Sequence, residues 1–347
     1  VAAVDRPPTL HDVARRAGVH PATVSRALSR PDMVAATTRS IVLEAVDAVG
    51  FVPNRSARQL VSGRTDAIGV IVPDITNPYF AAIVQAIQGD ARHDDLAVLI
   101  ADTGADPDEE RRAVTALSRQ VDGLVAVTPV TDLAPATCPV VEVNRRRRGA
   151  VSVVVDQEAI VAAALDHLAA LGHTAIAVIR GPVAYWSARR RDQATERLVR
   201  SGTRQGLRIE LLAPAPATFE GGKAAFAALD RTGATAVIAF NDVQAAGVLS
   251  AAYESGRSVP DDLSVVGSDG LALAAMTAPP LTTVAAPLEE LGRTARRRLA
   301  DLSTERSGPA VITLRPHLVV GATTAVPSRT TTRPSRRTPR HPGGSRP

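Results

Sequence analysis

The chain has 347 residues, 45% hydrophobic and 22% charged, the balance of an ordinary globular protein with room for two or three domains. Its one cysteine, Cys138, rules out an internal disulfide and a Cys-based zinc site and suits a reducing cytoplasm, and no apolar run approaches the roughly 18 residues that span a bilayer. The net charge of +5 is uneven: nine Lys+Arg against five Asp+Glu in 1–65, and six against none in 326–347, leave −5 for the stretch between, so only the ends suit a polyanion.

The opening segment, VAAVDRPPTL, has neither the charged head nor the apolar stretch of a secretory signal. Helical spacing follows it. Leu10, Val13, Ala14 and Ala17 fall on one face, with Thr9 as the expected N-cap and Asp12 in the first turn. Gly18 stops that helix. Pro21 sits early in the next one, where its missing N–H costs nothing. Val24, Ala27 and Leu28 make an apolar stripe and leave Ala22, Ser25 and Arg26 on other faces. A third helix, from about Ala36 to Val49, is expected to close a small core with Ile41, Val42, Ala45, Val46 and Val49. Two short helices about a Gly-containing turn fit a helix-turn-helix, whose second helix reads the major groove.

Residues 53–65, PNRSARQLVSGRT, are polar, Arg-rich and weakly helical, and by themselves read as a linker. From Ala67 the texture changes. AIGVIVPD, LAVLIADT, GLVAVT and PVVEVN are short β-rich runs, separated by amphipathic stretches at 78–92 and 108–120. The pattern restarts with SVVVDQ, TAIAVIRG, IELLAP, AVIAFND and LSVVGSDG. Such alternation predicts two doubly wound parallel sheets. Ligands of these sheets bind beyond the carboxyl ends of the strands, where this chain places Asp74, Asn144, Asp156, Asn241, Asp242 and Asp269. The RRRR run at 145–148 reads as a solvated loop. The last segment, 326–347, is rich in Pro, Arg and Thr and is expected to be a disordered basic tail.

The combination "VARRAGV…ATVSRAL…FVPNRSARQL" closely resembles the DNA-binding headpiece of LacI/GalR-type bacterial repressors, and the likeness continues through AIGVIVPDITNPYF and more loosely to about residue 325. The resemblance implies a small all-α helix-turn-helix headpiece over 1–52, a hinge helix over 53–65, and an α/β two-lobed body, like a periplasmic binding protein, over 66–325. It implies a homodimer on a near-palindromic DNA operator, controlled by a small-molecule effector, with no cofactor and no metal. Pro21, Ala22 and Arg26 would face operator bases. Arg26 suits a bidentate contact to guanine, and Ala22 a thymine methyl. Thr9, Thr23, Ser25, Asn54 and Ala57 would contact the DNA as well, Thr23, Ser25 and Asn54 on the backbone, and Leu60 would wedge into the minor groove. In the body it places Tyr79 and Phe80 on the first lobe of an effector cleft and Tyr185, Ser187 and Arg191 on the second, with Asp156, Asn241 and Asp269 completing it. An Arg opposite an Asp, with amides and rings, suits a sugar or sugar derivative. Trp186 could line that cleft or lie on the surface. The chain would cross between lobes near 158, 287 and 307.

Three positions depart from the family pattern. His20 stands where a Ser is usual before the second helix, Ala286 where a Gln is common, and the usual Gly after the Arg motif is missing around Gln193 and Ala194. The tail has no leucine, so dimers rather than tetramers are expected. Two other classes fit less well. An enzyme would need chemistry absent from the sequence, which has no phosphate loop, no Gly-x-Ser-x-Gly elbow and no metal spacing among its seven histidines. A transport binding protein would need a signal peptide and would not need the headpiece.

Overall fold

The computed structural model describes residues 8–29, 31–51, 64–200, 206–304 and 306–328; Asn54, Ala57 and Leu60, and the tail from 329, lie outside them. The head is three helices, α1 (Leu10–Ala17), α2 (Pro21–Ser29) and α3 (Ala36–Val49). Thr9 begins α1 from extended backbone, and its N–H and hydroxyl both donate to Asp12 Oδ2, at 3.0 and 2.6 Å. Gly18 ends α1 at φ 67°, a left-handed conformation that costs a residue with a Cβ about 1–2 kcal/mol.

His20 solves the missing-serine problem at α2. Its carbonyl accepts from the N–H groups of Thr23 and Val24, and its Nδ1 accepts from the Ala22 N–H at 3.2 Å. The imidazole therefore satisfies a first-turn donor as a Ser oxygen would. His20→Ala is expected to cost the head about 1 kcal/mol, and His20→Asn to restore it. Thermal unfolding of the head's own transition in the full chain measures both; equal stability of all three proteins would refute the cap.

Val13, Ala14, Val24, Ala27, Val42 and Ala45 form the head's core, with Leu10, Val19, Leu28, Val46, Val49 and Phe51 packed around it. Ile41, expected in that core, is 49% exposed. Val42, Ala45, Val46 and Val49 already make the inward stripe, and Ile41 precedes it by about 100° around the helix.

The body holds two six-stranded sheets with one topology used twice. In the first lobe β1 (Ala67–Val72), β2 (Ala97–Asp102), β3 (Gly123–Val127), β4 (Val140–Val143), β5 (Val151–Val155) and β11 (Val311–Leu314) lie in the order β11-β5-β4-β3-β1-β2, all parallel. In the second, β6 (Ala175–Val178), β7 (Arg208–Leu211), β8 (Ala236–Ile238), β9 (Ser264–Asp269), β10 (Thr282–Ala285) and β12 (His317–Val319) lie in the order β12-β10-β9-β8-β6-β7. Only β12 runs antiparallel. The helices are α4 (Pro78–Ala91), α5 (Pro107–Leu117), α6 (Gln157–Ala170), α7 (Trp186–Arg200), α8 (Phe219–Leu229), α9 (Asp242–Glu254), the short α10 (Ala272–Met276) and α11 (Leu288–Ser303). β1 and β3 are buried along their whole length, as strands covered on both faces must be.

The chain changes lobe three times. It leaves the first at Asp156, between β5 and α6, and returns at Ala286–Pro287, where α11 goes back to pack on α4. Buried Arg296 of α11 ion-pairs with Asp90 and Asp94. The third crossing lies between Leu314 and His317, not near 307 as expected. The run VITL first adds to the edge of the first sheet beside β5, and only then does the chain leave.

Candidate functional site

Because both sheets are parallel, the carboxyl ends of their strands carry the polar residues that follow apolar runs. These ends border one cavity of about 720 Å³. From the first lobe come Asp74, Tyr79 and Phe80, Thr128 after β3 and Asn144 after β4; from the second come Tyr185, Ser187 and Arg191, Phe240 and Asn241 after β8, and Asp269 at the end of β9. Seven residues of the expected cleft set are thus brought together: Tyr79, Phe80, Tyr185, Ser187, Arg191, Asn241 and Asp269. Asp156 is not among the lining residues. Its Oδ1 accepts from the N–H groups of Glu158 and Ala159, so it caps α6. Trp186 does not line the cleft either.

The lining is held in place locally. Asn77 Oδ1 accepts from the Tyr79 N–H at 3.0 Å and starts α4. Asn144 Nδ2 donates to the Tyr79 hydroxyl at 2.6 Å, while its own buried Oδ1 has no partner. Phe80 points into the core with its ring edge-on to Tyr79, centroids 5.3 Å apart. Asn241 caps α9 through the Gln244 N–H and donates to the Ala217 carbonyl, tying the 214–218 loop to the cleft. Arg191 Nε donates to Gln157 Oε1 at 2.7 Å and its Nη1 to the Phe240 carbonyl, with the guanidinium 4.6 Å from the Phe240 ring. Asn144, Gln157 and Phe240 were not in the expected set. Asn144 alone carried a signal, as a polar residue directly after a strand.

Backbone strain gathers in the same place. Among the described residues six other than glycine have positive φ, and Ala105, Thr128, Asn144 and Asp269 of these line the cavity. Each such conformation costs on the order of 1–3 kcal/mol and is held by its surroundings.

Electrostatically the cleft is an Arg facing two acids. Burial pulls the Arg191 pKa below its usual value, opposed by Asp269. Burial, and then the charge of Asp242, hold Asp269 well above the carboxylate range, against the pull of Arg191. No ion pair or hydrogen bond to the Asp269 carboxylate forms among the described residues. Burial also raises the phenol of Tyr79, and that of Tyr185 to about 12. An unpartnered carboxylate, an unpartnered amide oxygen and spare guanidinium N–H groups between two tyrosines can take a compact molecule with several hydroxyls, each donating to one group and accepting from another.

Asp242 stands just behind. It is fully buried, accepts from the Leu271 N–H at 2.8 Å and the Thr283 hydroxyl at 2.5 Å, and is still pushed by burial up to about 6. A carboxyl raised on folding contributes stability that is complete below its unfolded value of 3.8 and is lost as pH rises through 6. Wild type is therefore expected to lose about 1–2 kcal/mol between pH 5 and 7.5 that Asp242→Asn does not lose. Urea unfolding of both proteins at the two pH values tests this; parallel pH dependences would contradict it.

In the head, α2 leaves Ala22 and Arg26 exposed, with Pro21, Thr23 and Ser25 half-buried beside them. Arg26 Nε donates to the Ala22 carbonyl at 3.3 Å, a bond along the helix surface that a better acceptor can displace. Thr9 lies at the start of α1, its hydroxyl turned to Asp12.

Residues 9–54 match the family described as bacterial regulatory proteins, lacI family, and residues 165–324 the periplasmic binding protein-like domain. The HTH-type transcriptional regulator DegA of Bacillus subtilis (strain 168) is 33% identical over 334 residues, 91% of this chain and 98% of that protein. A crystal structure of the lac repressor dimer bound to operator and the anti-inducer ONPF superposes with a TM-score of 0.80 at 29% identity, covering 92% of this chain and all of that one. A complex of the transcriptional regulator CelR with cellobiose gives 0.67 at 30% identity, covering 91% and 99%.

Proposed function

The chain belongs to the lacI family of bacterial regulatory proteins, and we propose that it is a cytoplasmic repressor whose hold on a near-palindromic operator is set by a sugar or sugar derivative bound between its lobes. It is a sequence-specific DNA-binding transcriptional regulator that works as a homodimer. One head reads only a half-site, so two are needed for a palindrome. The observation that carries the effector reading is the cavity itself: residues of two lobes, separated by up to 196 positions in sequence, converge on one cleft. A ligand there touches both lobes and so can favour one arrangement of them over another. The cellobiose bound by CelR supports a carbohydrate. Exposed Leu99 and Ile100 on edge strand β2, and Tyr253 and Met276 in the second lobe, support a partner subunit. Among the described residues no helix is long and apolar enough to cross a membrane.

In this reading Pro21, Ala22 and Arg26 read bases, Thr23, Ser25 and Asn54 hold the DNA backbone, Thr9 and Ala57 contact the DNA as well, and Leu60 wedges the minor groove. The test begins by selecting an operator from random duplexes and screening sugars and sugar phosphates by thermal shift. A ligand at 100 times its Kd stabilises by about 2.7 kcal/mol. Arg26→Ala is then expected to cost roughly 1–3 kcal/mol in the ratio of operator to random-DNA affinity. Failure to enrich any palindrome would end the repressor reading; an unchanged ratio would remove Arg26 from the base-reading set.

A further inference from the structure

A second cavity, of about 630 Å³, lies at the first lobe crossing. Its walls come from the β4–β5 loop, from β5 and β11, from the first turn of α6 and from one face of α7. The RRRR run does not simply point into solvent: Arg146, Arg147 and Arg148 line this cavity, and α7 faces them with Trp186, Arg190 and Arg197.

The charges there are not balanced. Arg147 is committed to Glu142 and Asp132, and Arg197 to Glu158. Of the two acids in the wall, Glu158 is thus paired, and Asp156 is spent on the backbone N–H groups it caps. Arg146 and Arg148 have no hydrogen-bond or ion-pair partner among the described residues. Arg190 has no carboxylate, only Gln193 Oε1 at 2.8 Å and the face of Trp186 at 5.9 Å from the ring centre. Three cations from two lobes therefore converge on a concavity with one indole in its wall. Arginines of this kind take phosphate oxygens in pairs, and an indole is a stacking platform for a base of any identity. The volume falls within the roughly 300–1,000 Å³ of small-ligand sites.

We propose that this cavity binds a nucleoside polyphosphate, with its phosphates on Arg146, Arg148 and Arg190 and its base against Trp186. The site is separate from the effector cleft, although Gln157 lines both.

Trp186 is the chain's only tryptophan, so the fluorescence comes from the wall of this cavity. The full-length protein is titrated with ATP, with tripolyphosphate and with adenosine at physiological salt. ATP is expected to quench the indole saturably. Tripolyphosphate and adenosine should each bind at least about tenfold more weakly, each lacking half of the contacts. Arg146→Ala with Arg148→Ala, both exposed, should weaken ATP by roughly tenfold per arginine and leave operator affinity unchanged. Asp269→Ala in the effector cleft should leave ATP affinity intact, which separates this site from the one proposed above. No saturable quench at millimolar ATP would overturn the proposal. So would equal affinity for tripolyphosphate, unaltered affinity in the double variant, or a loss in Asp269→Ala.

Discussion

Asp269→Ala is expected to give a protein that folds, dimerises and holds its operator but no longer answers its effector. The carboxyl group is buried beside Asp242 and accepts no hydrogen bond among the described residues, so its removal costs the folded state little. What is lost is a buried hydrogen-bonding partner for ligand hydroxyls, about 1–3 kcal/mol or roughly five- to a hundredfold in affinity. Arg191→Ala should weaken the effector by a similar factor but also destabilise the fold, because Gln157 Oε1 and the Phe240 carbonyl lose their donor. If the effector releases DNA, both variants stay bound; if it promotes binding, both stay released. Operator affinity with and without effector, in wild type and each variant, measures this. A wild-type response in both would remove the cleft from the mechanism.

The second large effect is steric. Helices α8 and α9 cross at two glycines. A Cβ on Gly222 would stand 2.0 Å from the Gln244 carbonyl oxygen, and one on Gly247 would stand 2.0 Å from that of Phe219. Both obstacles are backbone, which cannot swing aside. Gly247→Ala must therefore push the helices apart, at a cost of several kcal/mol, on the order of 3–5. The start of α9 carries Asn241 and Gln244, which hold the 214–218 loop of the cleft, so effector binding should fall with stability. Gly89, inside α4 with nothing beyond its own helical turn within 4 Å of the added methyl, is the comparison: Gly89→Ala should be neutral or stabilising by up to about 1 kcal/mol. Urea unfolding of the two variants gives the contrast; equal midpoints would mean that the crossing yields more easily than its geometry implies.

Much of this was legible in the letters because it is local. The head's stripes, its Gly18 stop and the run of β-rich segments each depend on neighbours within a few positions. The polar residue after each strand also stood out, which is why most of the cleft could be named. Ile41 and the edge strand VITL were misplaced for related reasons: an apolar residue beside a stripe and an apolar run beyond a loop do not state which surface will cover them. Asp156 looked like Asp269, both being acids after strands. One follows a strand with a helix starting at once and becomes its cap; the other ends β9 at φ 126° and lines the cavity. Gln157 and Phe240 had no local signal, since their roles come from Arg191, 34 and 49 positions away.

The three lobe crossings set the order in which a growing polypeptide can acquire structure. The head's core closes by Phe51 and is complete early in synthesis. Neither lobe has that option. The first lacks α11 and β11 until Leu314 has been made, and the second lacks β12 until Val319. Through most of translation, the outer edge of β5 lacks its partner β11 and the face of β3, β4 and β5 that α11 covers lies open. A nascent chain cut short before Leu314 thus carries a head with a closed core trailing an incomplete body.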